Sequence, residues 1–121
     1  MKHKVFFDDD AGAVRLKLVG KVSAQDATEI FLTVEDLYKD KDHRFVITDH
    51  SESPEVMARE TRKVFQDEGA KANFEKHAIV GANPATRMGV KIIMAVLGQL
   101  KTTKFFKTDE EAVNWITEEE Q

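Results

Sequence analysis

The sequence predicts an α/β domain: a mixed, mostly parallel five-stranded sheet with about four helices, in the order β-β-α-β-α-β-α-β-α. Three observations carry this. Short apolar runs of strand length alternate with longer segments of helical period. Each helical segment opens on a Ser, Asn or Thr of the kind that caps a helix, at Ser23, Ser53, Asn83 and Thr108. A turn, not a helix, separates the first two strands. That pair is therefore antiparallel, while strands joined through helices pair in parallel.

Val5-Phe6-Phe7 is the first strand, and Asp8-Asp9-Asp10-Ala11-Gly12 supplies turn residues behind it. Val14, Leu16 and Leu18 alternate with Arg15 and Lys17, a period of two that marks the second strand. Ser23-Ala24-Gln25-Asp26 is a capping box with Asp in the Glu position, and Ala27, Ile30, Phe31, Val34, Leu37 and Tyr38 then recur at helical spacing. Phe45-Val46-Ile47 is a short buried strand. Ser53-Pro54 predicts the start of the second helix, with Ser as cap and Pro at the first helical position. His77 to Gly81 is the fourth strand, and Asn83-Pro84 repeats the cap-plus-proline start. The third helix runs from Pro84 to about Gly98 or Leu100. Lys104-Phe105-Phe106 is the last strand, and Thr108-Asp109-Glu110-Glu111 is a capping box ahead of a final helix bearing Ala112, Val113 and Ile116.

Composition narrows the function classes. A chain of 121 residues, 41% hydrophobic and 33% charged, is expected to form one globular domain over 1-121. The formal net charge is -4, and no basic stripe is evident, so a nucleic-acid partner is not expected. Cysteine is absent, which removes disulfides, thiolate nucleophiles and sulfur-ligated metals. The longest apolar run, Ile92 to Leu97, is far below the roughly 20 residues of a membrane span. The expectation is a cytoplasmic protein.

The closing segment Phe105-Phe106-Lys107-Thr108-Asp109-Glu110-Glu111-Ala112-Val113-Asn114-Trp115-Ile116 and the stretch Val14 to Asp26 resemble STAS-like domains, also called SpoIIAA-like after the anti-sigma-factor antagonists. The nearest resemblance is to a bacterial branch described as STAS/SEC14-like. It implies a non-enzymatic regulatory or protein-interaction module, with binding of a lipid or other apolar small molecule as the alternative. One departure is plain. Anti-sigma antagonists carry an Asp-Ser-Ser-Gly-type segment with a phosphorylatable serine, whereas Thr48-Asp49-His50-Ser51-Glu52-Ser53-Pro54 lacks the Ser-Ser-Gly core.

Ligands of such sheets bind outside the carboxyl ends of the strands. The candidate binding residues there are Asp49, His50 and Ser51 after the third strand, and Asn83, Thr86 and Arg87 at the start of the third helix. Asp49, His50 and Ser51 hold the residue types of a hydrolytic triad, and an acid-base enzyme using Asp49 and His50 is a third, weaker function class. Three neighbours in sequence do not adopt a triad's order, so the plainer reading is that Asp49 and Ser51 cap the second helix. Asn83 to Arg87 opens a helix whose free N–H groups suit an anion, against plain capping by Asn83. Ser51 and Ser53 are the candidate phosphorylation sites. The four histidines show no metal-ligand spacing, and no cofactor or metal is expected.

The third helix stands out. Val90, Ile92, Ile93, Val96, Leu97 and Leu100 span about half its circumference, and Met88 and Met94 extend beyond them. Either the last helix covers the excess, or it faces a partner subunit, a second copy of the chain or an apolar ligand.

Overall fold

The computed structural model describes residues 1–118; the last three positions of the expected 1-121 domain lie outside the described residues. The elements are β1 (Lys4–Asp8), β2 (Ala13–Val19), α1 (Ala24–Leu37), β3 (Phe45–Glu52), α2 (Arg59–Ala72), β4 (Lys76–Val80), α3 (Pro84–Leu97), a 3₁₀ turn (Leu100–Thr102), β5 (Thr103–Phe106) and α4 (Asp109–Thr117). The five strands form one sheet in the order β1-β2-β3-β4-β5. Only β1 and β2 are antiparallel; every helix-linked pair is parallel.

Side-chain alternation divides the core in two. Val14, Leu16, Leu18 and Val46 face α1 and α2 in one cluster with Ile30, Phe31, Val34 and Phe74. Ala13, Ile47, Ala78 and Val80 face the other way and pack on Ala112 and Ile116 of α4. Thus α1, α2 and α3 cover one face, and α4 alone covers part of the other. Of the alternatives for the apolar surface of α3, cover by the last helix is therefore excluded: the sheet lies between them.

Three of the four caps form as the sequence indicates. Ser23 makes a reciprocal capping box with Asp26, Asn83 accepts from the Thr86 amide, and Thr108 accepts from the Glu111 amide. At the last, the Glu111 carboxylate takes the Thr108 hydroxyl at 3.0 Å instead of reaching back to the cap amide.

Ser53 is the exception. β3 does not stop at Ile47 but runs on to Glu52, because Asp49 pairs with Val80 and Glu52 with Val19. The ladder on both sides outweighs the local cap signal. Ser53 instead donates its hydroxyl to the Gly20 carbonyl at 2.5 Å, and α2 begins at Arg59 behind Ala58, which makes no side-chain cap. Of the two ends expected for α3 the structure has the earlier: the helix stops at Leu97 and Gly98 caps it in the left-handed conformation, φ +69°.

Candidate functional site

The extension of β3 redistributes the residues predicted for the loop. Asp49 and His50 are neighbours in a strand, so they project to opposite faces. Asp49 looks toward Arg15, Lys17 and Asp109 on the α4 side, and its Oδ1 accepts the Ser51 amide at 2.8 Å. His50 is buried on the α1–α3 side, 6% exposed. No acid-base pair is assembled from them, and neither Asp49 nor Ser51 caps α2. Between the pairs Lys17–Asp49 and Val19–Glu52 the third strand holds one residue more than the second. This bulge leaves Ser51 exposed beside Gly81. Of the two serines, Ser53 is 4% exposed and held by Gly20, and neither lies at a helix start.

Asn83 has its side chain occupied twice: it accepts from Thr86 at 2.8 Å and donates to the Pro54 carbonyl at 2.8 Å. Thr86 turns its hydroxyl inward, where it has no hydrogen-bond partner among the described residues. Arg87 lines an open cleft with Asn83, Phe105, Lys107 and Glu111 at the ends of β4 and β5. Among the described residues no cluster of three or more His, Asp or Glu is arranged to hold a metal ion.

The two methionines of α3 part company. Met94 points inward and is 9% exposed, while Met88 is 66% exposed. Met88 leads a row at four-residue spacing with Ile92, Val96 and Leu100, each at least half exposed. Met88, Ile92 and Val96 stand one above another along the outer face of α3, the i to i+4 geometry of a helical ridge, and Leu100 follows in the 3₁₀ turn beyond Gly98. Among the described residues no element covers them. Charge adds to the pattern. From Lys76 to Thr108 the chain has six Lys and Arg residues and no Asp or Glu, although the net charge of the whole is -4. The apolar ridge thus lies in a segment of one sign, a feature legible in the sequence but hidden by whole-chain composition.

The inner face of α3 borders a cavity of about 70 Å³ between the helices and the sheet. Its wall is apolar, with Phe31, Phe65, Val90, Ile93 and Met94 among the lining residues, except for Thr48, His50, His77 and Gln99. The Thr48 hydroxyl and His77 Nε2 are 2.9 Å apart. Burial pushes the His50 imidazole down to about 4 and the His77 imidazole down to about 3, so both are neutral at pH 7. The sequence reading missed this grouping. Thr48 and His50 take the inward positions after Val46, which a period of two reveals only once the strand is extended beyond Ile47.

No helix among the described residues is long and apolar enough to cross a membrane. No curated protein matches the sequence. Solved structures do match the fold. An uncharacterised DUF3478-family protein with a SpoIIAA-like fold from Shewanella loihica PV-4 is 17% identical, with 94% of this chain and 91% of that one covered and a TM-score of 0.72. The protein TM1081 is 17% identical over 98% of this chain and 89% of its own, with a TM-score of 0.62. A substituted form of RsbS from Moorella thermoacetica is 12% identical over 96% and 95%, with a TM-score of 0.63. The SpoIIAA-like family model matches residues 13–117, from the start of β2 through the end of α4. With the sheet order, the single antiparallel pair and the capped closing helix already in place, that match makes this chain a member of the SpoIIAA-like family.

Proposed function

We propose that this chain is a non-enzymatic regulatory module of the STAS type, acting in the cytoplasm through protein contact, and that the outer face of α3 is its contact surface. The observation that carries this is the exposed row Met88, Ile92, Val96 and Leu100. Covering one large apolar side chain contributes roughly 1.5–3 kcal/mol. These side chains are half to two-thirds exposed, so a partner groove that seats the row gains part of that for each of them. The basic, acid-free segment around it favours a groove with an acidic rim. A second copy docked through the same face would bring two acid-free basic segments together, so a different protein with an acidic rim suits the surface better than a homo-oligomer.

The test is capture of a partner by the wild-type chain and by an Ile92→Glu/Val96→Glu variant, with vesicles of anionic lipid as a parallel arm. The proposal expects a discrete protein partner lost in the variant while circular dichroism is unchanged. Equal capture by both forms, or binding to vesicles in place of a protein, overturns it.

A second reading, binding of an apolar small molecule, has its own observation: the cavity on the inner side of the same helix.

A further inference from the structure

We infer that the outer edge of β1 is a self-association surface: two copies of this chain pair β1 to β1, antiparallel, about a two-fold axis at Phe6, with Lys4 of each copy opposite Asp8 of the other. This edge is separate from the outer face of α3, which follows β4 toward the other end of the sheet.

The edge comes first. The sheet ends at β1, which pairs with β2 alone. Its other side therefore presents backbone N–H and C=O groups that no strand of the same chain meets. Proteins that protect such an edge place a charge or a proline within the strand. The middle of β1 reads Val5-Phe6-Phe7 and holds neither. Its charges stand at the two ends and have opposite sign, Lys4 and Asp8. Phe6 is 49% exposed, large and apolar at the centre of the strand.

Charge selects the partner. An antiparallel register centred on Phe6 sets Phe6 against Phe6, Val5 against Phe7 and Lys4 against Asp8. The two Phe6 rings then meet on the side of the sheet that carries Arg15 and Asp109, as an aromatic cross-strand pair. The two-fold axis forms each Lys4–Asp8 pair twice. Asp8 is not neutralised within its own chain. It shares the single guanidinium of Arg15 with Asp109, so that cluster keeps one negative charge in excess. The same polarity continues beyond the strand, with Lys2 before Lys4 and with Asp9 and Asp10 after Asp8. The opposite edge of the sheet lacks this property. β5 and its flanks carry Lys101, Lys104 and Lys107 without an acid, so two copies of β5 would bring lysines together. A second copy therefore fits the edge at β1 and not the edge at β5.

The experiment is sedimentation equilibrium of the full chain as wild type and as Phe6→Glu and Lys4→Glu, both at exposed positions. Wild type is expected to approach twice the chain mass as its concentration rises. Phe6→Glu sets two carboxylates against each other on the axis, and it is expected to stay monomeric where wild type is half dimer. Lys4→Glu turns both opposite-charge pairs into like-charge pairs, and its dissociation constant is expected to rise about tenfold. The chain has no cysteine, so Phe6→Cys adds a single thiol. Mild oxidation is expected to link two chains at position 6 and to leave Leu32→Cys, an open position on α1, unlinked. Phe6→Cys carries the test if Phe6→Glu fails to fold. A wild type that is monomeric at every concentration overturns the inference, as does a dimer that Phe6→Glu leaves intact or equal linking at positions 6 and 32. A dimer lost only in Ile92→Glu/Val96→Glu places self-association on α3, and overturns both this inference and the choice of a different protein as the partner of that helix.

Discussion

Gly81 and Ser51 meet backbone to backbone: a Cβ at Gly81 would stand 2.9 Å from the Ser51 Cβ and 3.0 Å from its amide nitrogen. Gly81 also has φ +73°, which a side chain disfavours. This contact joins the end of β4 to the bulged end of β3, where the residues read as a loop in the sequence prove to be strand. Gly81→Ala is therefore expected to destabilise the protein by about 2 kcal/mol or more, combining backbone strain with the clash. Urea denaturation measures it; an effect below about 0.5 kcal/mol would mean the strand ends are not held this way.

Acid should weaken the fold through the two buried imidazoles. Their folded-state values, about 4 for His50 and about 3 for His77, lie below the 6.5 of an exposed histidine. The unfolded chain then binds more protons than the native one between pH 6.5 and those values, so stability falls as pH falls through that window. For His50 the loss is about 3 kcal/mol on going from pH 7 to pH 4. His50→Phe should flatten the profile, because a group whose folded-state value is lowered by burial no longer titrates. A variant profile parallel to wild type would contradict this.

Ser53 is a structural serine. Its hydroxyl joins the loop before α2 to the Gly20 carbonyl at the end of β2. Ser53→Ala should cost about 1 kcal/mol of stability. In a phosphorylation assay of the folded protein, Ser53 should stay unlabelled; incorporation there without unfolding would show that this buried contact opens readily.

How far the sequence spoke depends on the kind of signal. Period and caps are local, and they placed nine elements in the right order, with Ser23, Asn83 and Thr108 all capping as expected. Ser53 carried the same local signal and lost to the ladder of two neighbouring strands, which no short window contains. The wheel of α3 gave the width of its apolar surface but not its neighbours, so cover by α4 stood as one alternative although the sheet lies between them. Thr48 and His77, 29 positions apart, meet only because β3 and β4 pair. That is a tertiary fact, whereas the acid-free segment from Lys76 to Thr108 was open to inspection all along.

The most direct test of the outer face of α3 is site-specific photo-crosslinking in cells, with a benzophenone side chain at position 92 and, as control, at position 32, where Leu32 is 69% exposed on α1. A protein adduct of discrete mass is predicted at position 92, absent at position 32 and diminished by Arg87→Glu/Lys91→Glu. Equal adducts at both positions, or none at position 92, would contradict the assignment of α3 as the contact surface.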